Sequence, residues 1–157
     1  MNRKHFLSSI FAAGAALPSL GSTASGHPSG ARPATKRSSP IFPAWLVAGD
    51  TIGITCPAGN ITLKEIQPAV QQIESWGFKV KIGDTVGKKD FTFGGTDEER
   101  LADLQQMMDD PSLKAILCAR GGYGAVHIVD RLDLSGLSSH PKWIIGFSDI
   151  TVLLCHI

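Results

Sequence analysis

The sequence predicts an α/β fold, in which a parallel sheet of about four strands is covered by helices on both faces. Short apolar runs suited to strands alternate along the chain with segments whose apolar residues recur at helical spacing. Strands that alternate with helices are joined by crossover connections, which make neighbouring strands parallel. The 157 residues, 43% apolar and 18% charged, have the composition of one globular domain.

Four runs of residues are predicted to form the strands. They cover residues 51–56, 78–82, 113–119 and 142–147. The run at 113–119 is almost continuously apolar, which is typical of a strand buried on both faces. The run at 78–82 alternates between polar and apolar residues, which favours a place nearer the sheet edge.

Two helices are predicted to begin at capping boxes, in which a threonine and a following glutamate each bind the other's backbone amide. The pairs are Thr62 with Glu65 and Thr96 with Glu99. Pro68 marks either an irregular first turn of the first helix or its true start. The residues expected on the apolar faces are Leu63, Ile66, Val70, Ile73 and Trp76 in the first helix and Leu101, Leu104, Met107 and Met108 in the second.

Two further helices complete the predicted fold. One covers residues 124–132, with Val126, Val129 and Leu132 facing inward, and the other begins after Ser148. Together with the four strands, the helices make a three-layer sandwich of the Rossmann or flavodoxin-like type.

Charge and cysteine content argue against several classes of partner. The chain has 15 Lys and Arg against 14 Asp and Glu, a net charge of +1, so it lacks the basic excess that nucleic-acid binding requires. Cys56, Cys118 and Cys155 show no Cys-x-x-Cys spacing, which indicates neither a zinc site nor a disulfide framework. We interpret them as packing residues and expect no metal ion and no cofactor.

Residues 1–24 have the features of an export signal in the usual order. A basic start, 1–5, precedes a mostly apolar stretch, 6–20, and Ala24 closes a group of small residues suited to cleavage. The apolar stretch is short for a membrane span, so we predict a periplasmic or extracellular protein without a stable membrane anchor. Export by the general or the twin-arginine route is left open. Residues 25–44 are interpreted as a flexible linker before a domain at 45–157.

Three loops with unusual residues follow predicted strands. They cover residues 57–60, 120–124 and 146–149. The carboxyl ends of parallel strands meet at one edge of a sheet, where ligands bind. The second loop is rich in glycine, but the Gly-x-Gly-x-x-Gly spacing of dinucleotide sites fails because His127 occupies the last position.

Ser148 lies directly between a predicted strand and a predicted helix, two residues after Gly146. This placement resembles a nucleophile elbow, in which the serine hydroxyl projects from the sheet edge and the next amide, here that of Asp149, can bind an oxyanion. The full Gly-x-Ser-x-Gly pattern is absent because Ile150 takes the last place. The alternative interpretation makes Ser148 a helix N-cap.

Several segments resemble the N-terminal half of the LD-carboxypeptidases, the murein tetrapeptide carboxypeptidase family of serine peptidases. They are Gly49 to Ile54, Gly95 to Arg100, Ala119 to Gly124, Leu132-Asp133, Pro141-Lys142 and Ile145 to Thr151. The resemblance runs from about Trp45 to the last residue. It implies a serine hydrolase that removes the terminal D-alanine from cell-wall tetrapeptides without a metal, and that often forms homodimers.

The resemblance also implies roles for individual residues. It makes Ser148 the nucleophile, and the backbone amides of Asp149 and of Gly121 or Gly122 the oxyanion hole. Arg120 would either hold the terminal carboxylate of the substrate or brace a loop. Tyr123 would line the substrate pocket or cap the sheet.

A serine nucleophile needs a base within hydrogen-bond reach and an acid that orients the base. His156 lies eight residues beyond Ser148, about 12 Å along a helix, and is too far away. His127 is expected within the third helix and His140 at the opposite edge of the sheet. The family's His and Glu come from its C-terminal half, so this chain is expected to be a truncated N-terminal portion, ending after the nucleophile elbow and inactive alone.

Two functions are compatible with these residues. The first is an exported LD-carboxypeptidase acting on muropeptides or other small peptides; a related peptidase that gives microcin immunity attacks a different bond with similar machinery. The second is a non-catalytic module whose glycine loops hold a small anion at helix N-termini. The two differ in whether Ser148 is required for turnover of a peptide substrate.

Overall fold

The computed structural model describes residues 41–157, and within them four strands form one sheet. The strands lie in the order β2-β1-β3-β4, and all their pairings are parallel. They are β1 (Thr51–Thr55), β2 (Lys79–Ile82), β3 (Leu113–Cys118) and β4 (Trp143–Ile145). The predicted parallel sheet is confirmed, and the alternating strand β2 lies at an edge.

Helices and short 3₁₀ turns connect the strands. The α-helices are α1 (Leu63–Ser75), α2 (Asp97–Asp109), α3 (Ser135–Ser139) and α4 (Thr151–His156). The 3₁₀ turns are Ala125–His127, Val129–Arg131 and Ser148–Ile150. The sequence analysis did not predict α3, which is short and carries no buried residue.

Both predicted capping boxes are present. The Thr62 hydroxyl accepts from the Glu65 amide at 3.2 Å, and the Thr62 amide donates to the Glu65 carboxylate at 2.8 Å. Helix α1 therefore begins at Leu63 and continues through Pro68. The expected apolar face of α1 is partly wrong, since Leu63 and Trp76 are 57% and 62% exposed.

The predicted third helix is wrong. Residues 125–131 form two 3₁₀ turns, because the amides of His127, Ile128 and Arg131 each bind the carbonyl three residues earlier. The β-branched residues here have low helix propensity. Val126, expected inward, is 46% exposed, whereas Ile128 is 1% exposed.

The core lies on the two faces of the sheet. Ile66 and Ile73 of α1 pack on one face with Ile52 and Ile54. The other face carries α2, the turns around Val129 and helix α4; its buried members are Ala58, Leu104, Met107, Met108, Leu113, Ile116, Cys118, Ile128, Val129, Ile150 and Leu153. This confirms helices on both faces of the sheet.

The cysteines differ in their surroundings. Cys56 and Cys118 are buried packing residues, as predicted, whereas Cys155 is exposed. Burial, and after it the Asp103 carboxylate, raises the pKa of the Cys56 thiol to about 11. Burial raises the pKa of Cys118 to about 12. Neither buried thiol is therefore ionised near neutral pH.

The predicted export signal at 1–24 and residues 25–40 of the predicted linker lie outside the described residues. At the start of the described part, the Ala44 carbonyl accepts from the Trp143 indole at 2.9 Å, and Trp45 stacks on Trp143. None of the helices in residues 41–157 has the length and apolarity needed to cross a membrane.

Candidate active site

The loops that follow β1 and β3 lie in direct contact at the carboxyl edge of the sheet. The Gly59 amide donates to the Gly121 carbonyl at 2.9 Å. A β-carbon on Gly59 would lie 2.6 Å from that carbonyl oxygen, so only glycine fits here. The glycine-rich segment, residues 120–124, is named the glycine loop below.

Ser148 follows β4 in an uncommon backbone conformation. Its φ is 57°, in the left-handed region that residues with side chains rarely adopt. Phe147 occupies the N-cap position of the 3₁₀ turn, and neither this turn nor α4 has a side-chain cap hydrogen bond. The N-cap interpretation of Ser148 is therefore wrong, and the exposed serine sits on a strained strand-to-helix turn.

Gly146 explains how the turn forms without the second glycine of the Gly-x-Ser-x-Gly pattern. Ile150, at that position, is fully buried against the core. Its side chain folds back over Gly146, where a β-carbon would collide with it. The amide of Ile150 donates to the Phe147 carbonyl at 3.2 Å and closes the turn.

The glycine loop lies against the serine turn. A β-carbon on Gly121 would lie 2.8 Å from the Ser148 Cβ and 3.3 Å from Ser148 Oγ. Gly122 has a φ of 106°, a conformation that glycine adopts without strain. The structure thus brings Gly121 into contact with Ser148, whereas a β-carbon on Gly122 would lie nearest to Gly59, at 3.4 Å.

The Asp149 carboxylate connects the serine turn to the glycine loop. Its Oδ2 atom accepts from the Ala125 amide, directly after the loop, at 2.9 Å. The sequence analysis considered only the backbone amide of Asp149. The side-chain contact was missed because it joins residues 24 positions apart, a pairing that local patterns do not show.

Arg120 and Tyr123 lie at the exposed side of the glycine loop. Arg120 Nη1 donates to the Asn60 carbonyl at 3.0 Å, so this side chain braces the loop after β1. A guanidinium carries further N–H donors that could bind a carboxylate. Tyr123 is 58% exposed and packs edge-on against His127, with ring centroids 5.0 Å apart.

The described histidines have contacts elsewhere. His127 Nδ1 lies 3.4 Å from Asp97 Oδ1, and His156 Nδ1 lies 4.0 Å from Asp130 Oδ1. His140 lines a cavity of about 380 Å³ beside Asp50, where the strands begin. Within residues 41–157, none of these contacts joins a histidine to Ser148.

Two buried charged residues of α2 were not anticipated. Arg100 is fully buried beneath the loops of the site, and Asp103 is 4% exposed. The Asp103 carboxylate accepts from the hydroxyls of Thr55 and Thr85 at 2.7 and 2.5 Å. It also accepts from the Asp84 amide at 2.9 Å, so it links α2 to β1 and to the loop after β2.

Among the described residues, no cluster of His, Cys, Asp and Glu side chains is arranged to hold a metal ion.

A parallel sheet with a strained serine turn and a glycine loop at its carboxyl edge defines an α/β protein with a candidate ligand site at that edge. A family model described as the LD-carboxypeptidase N-terminal domain matches residues 52–157. The chain belongs to this family.

Named relatives agree with this assignment. A probable murein peptide carboxypeptidase of Bacillus subtilis is 40% identical over 111 residues, which cover 71% of this chain and 35% of the relative. A murein tetrapeptide carboxypeptidase of Pseudomonas aeruginosa is 34% identical over 111 residues, covering 70% of this chain and 36% of the relative. This chain thus spans about a third of the length of these relatives.

A solved structure has a similar fold. It is the microcin C7 self-immunity protein MccF in complex with aspartyl sulfamoyl adenosine, with a TM-score of 0.69 and 32% sequence identity. The similarity covers 73% of this chain and 35% of the solved chain.

Proposed function

We propose that this chain is the nucleophile-bearing N-terminal part of a serine-type LD-carboxypeptidase that removes the terminal D-alanine from cell-wall tetrapeptides. The observation that carries the proposal is the positive φ of Ser148 directly beside the glycine loop. A strained turn of this kind exposes a serine hydroxyl to a bound carbonyl. The names of the relatives support the murein peptide substrate.

In the proposed mechanism, Ser148 Oγ attacks the carbonyl carbon of the terminal peptide bond as a base removes the hydroxyl proton. The backbone amides of Gly122 and Asp149 donate to the oxyanion that forms. The base then gives the proton to the nitrogen of D-alanine, which leaves as the C–N bond breaks. Water hydrolyses the acyl ester and regenerates Ser148.

The base is proposed to come from the part of the relatives that this chain does not span, together with its orienting acid. Within residues 41–157 the histidine contacts point elsewhere. An unactivated serine hydroxyl stays protonated near neutral pH and is a weak nucleophile. The chain by itself is therefore expected to be inactive.

The remaining residues of the site are proposed to bind substrate. Arg120 already braces Asn60, and its other N–H donors would hold the terminal carboxylate. Gly121 keeps the loop close to Ser148, and the exposed ring of Tyr123 would line the pocket. Export through the signal at 1–24 would bring the protein to cell-wall peptides, where the full-length protein would act without a membrane anchor and as a homodimer.

The test uses a chimera in which residues 41–157 are followed by the C-terminal part of the Bacillus subtilis relative. The chimera should release D-alanine from a muropeptide with a free tetrapeptide stem, whereas the 157-residue chain alone should not. Ser148→Ala should lower turnover on the order of 10⁶-fold, since it removes the nucleophile. Its melting temperature should not fall, because it deletes one exposed hydroxyl.

Ser138→Ala, at an exposed position of α3, is the matched control and should behave like the parent. If the Ser148→Ala chimera released D-alanine as fast as its parent, Ser148 would not be the nucleophile. If neither the parent chimera nor its Ser148→Ala variant released D-alanine, and both still bound the muropeptide, the result would favour the non-catalytic binding module.

A further inference from the structure

Arg100 is a fully buried cation, and two of its hydrogen bonds reach loops of the candidate site. Nη1 donates to the carbonyl of Pro57 at 2.6 Å and to that of Gly124 at 2.9 Å. Nε donates to the Gly95 carbonyl at 3.3 Å, and Nη2 pairs with the Asp97 carboxylate. One guanidinium thus joins the loop after β1, the end of the glycine loop and the start of α2.

The glycine loop is shaped around this guanidinium. Gly124 has a φ of 129°, and a β-carbon there would lie 2.8 Å from Arg100 Nη1. The ring of Phe93 packs over the guanidinium, with its centroid 4.9 Å from Arg100 Cζ, and a β-carbon on Gly124 would also lie 2.9 Å from this ring. A planar cation with several N–H donors fits this narrow space, whereas a lysine ammonium is a point donor on a flexible stem.

Three successive contacts connect Arg100 to Ser148. The loop after β1, which Arg100 holds at Pro57, bonds to the glycine loop through Gly59 and Gly121. The β-carbon position of Gly121 is in contact with Ser148. A shift of the guanidinium would therefore change the distance between the loop amides and the serine hydroxyl.

We propose that Arg100 is a positioning residue that holds the glycine-loop amides in place for the oxyanion formed at Ser148. The proposal rests on the function proposed above. Without these bonds the loop would remain attached but would sample other positions. Donors aimed at a developing charge act only when they are held in place before the reaction.

Arg100→Lys is the test, because it keeps the charge and removes the fork of donors. In the chimera, kcat should fall on the order of 10²-fold, because misplacing a catalytic group by about 1 Å has that effect. KM should change little, since Arg100 is buried and does not face the substrate. Arg131→Lys, at an exposed arginine paired with Glu98, is the matched control and should leave kcat unchanged.

A second measurement uses the 157-residue chain without the fused C-terminal part, so it does not depend on catalysis. In ¹⁵N-labelled protein, Arg100→Lys should shift the amide resonances of Gly121 and Gly122 and speed their hydrogen exchange. The amide of Ile116 in β3 should not change. If Arg100→Lys does not fold, Asp97→Asn, which removes the paired carboxylate, should produce the same effects more weakly.

The outcomes separate the two proposals. Loss of kcat in Ser148→Ala, combined with a normal kcat and normal loop amides in Arg100→Lys, would overturn the positioning role alone. Full activity of Ser148→Ala would overturn the proposed function, and shifted loop amides in Arg100→Lys would then still show that Arg100 sets the loop. Equal effects of Arg100→Lys and Arg131→Lys would also overturn the positioning role.

Discussion

The backbone of Ser148 has a strained conformation, with a φ of 57°, which contacts of neighbouring residues must stabilise. A residue with a side chain in the left-handed region costs roughly 1–2 kcal/mol. Two contacts made by the residues directly after Ser148 hold this conformation: the burial of Ile150 and the hydrogen bond from the Ala125 amide to the Asp149 carboxylate. Such strain persists at positions where the surrounding structure determines the conformation, and those positions are often functional.

Gly121→Ala tests how closely the glycine loop must approach this serine. The added β-carbon would lie 2.8 Å from the Ser148 Cβ, so the loop or the serine turn must move apart. Overpacking of this kind typically costs about 1–3 kcal/mol. We expect a lower free energy of unfolding in urea for the chain, and severe loss of D-alanine release by the chimera.

Gly136→Ala is the control for the same substitution at a helical position. Its β-carbon would come no nearer than 3.3 Å to another residue, at Asp109 Oδ1. Alanine also has the higher helix propensity, so stability should hold or rise. Unchanged stability and unchanged turnover in Gly121→Ala would contradict the close approach that we describe.

Helix α2 is anchored at both ends by charged groups. Its first turn carries the acidic residues Asp97, Glu98 and Glu99, which suit the positive end of a helix dipole. At its other end Lys142 Nζ, from the segment before β4, donates to the carbonyls of Met107 and Asp110 at 3.3 and 2.5 Å. Burial lowers the pKa of Lys142, and nearby Asp110 and Asp109 oppose that shift.

Asp110 ends α2 and holds the start of β3. Its carboxylate accepts from Lys81 Nζ at 2.7 Å and from the hydroxyl and amide of Ser112 at 2.6 and 2.9 Å. The hydrogen bond from Lys81 has the largest effect, and together with the bonds from Ser112 it holds the pKa of Asp110 far below its usual range. A carboxyl with a lowered pKa in the folded state stabilises the protein above its unfolded pKa, near 3.9, and loses this effect as pH falls.

Asp110→Asn should therefore reduce stability in a pH-dependent way. At pH 7 we expect a loss of about 1 kcal/mol in the free energy of unfolding, the usual contribution of such hydrogen bonds. The difference from the parent should shrink as pH falls below about 4, where the unfolded chain gains a proton that the folded carboxyl resists. Urea unfolding at a series of pH values measures both.

The exposed Asp90 supplies the comparison, because Asp90→Asn removes the same charge from a loop. Its effect at pH 7 should be small. A stability difference for Asp110→Asn that is constant from pH 7 to pH 3 would show that the carboxylate charge of Asp110 does not contribute to folding.

At the scale of the whole molecule, features set by near neighbours in sequence could be predicted. The four strands and both capping boxes depend on residues within a few positions of one another. The predicted third helix failed because apolar spacing at Ala125, Ile128 and Val129 suits successive 3₁₀ turns as well as an α-helix. Periodicity alone does not distinguish these two structures over a short segment.

In the candidate site, too, some features could be predicted from the sequence and others could not. The order of the loops along the chain placed Ser148 and the glycine loop at one edge, since the carboxyl ends of parallel strands meet there. Arg100 could not be identified, because an arginine on an amphipathic helix is ordinarily exposed. Its burial depends on carbonyls from loops distant in sequence, at Pro57 and Gly124.

Export is the prediction that concerns the chain as a whole. Residues 1–24 lie outside the described structure, and the expectation rests on their order: basic start, apolar stretch and small residues up to Ala24. When the 157-residue chain is made in a bacterial host, we expect a mature N-terminus at Ser25 in the periplasmic fraction or the medium. Intact-mass measurement of the purified protein reads this directly.

Leu17→Arg is the variant that tests the mechanism of export, because a charge in the apolar stretch opposes entry into the membrane. It should yield a full-length protein that begins at Met1 or Asn2 and stays in the cytoplasmic fraction. Arg37→Lys, beyond the predicted cleavage point, should be processed like the parent. An unmodified chain that keeps Met1 and is found in the cytoplasmic fraction would contradict export, and with it the access to cell-wall peptides that the proposed function requires.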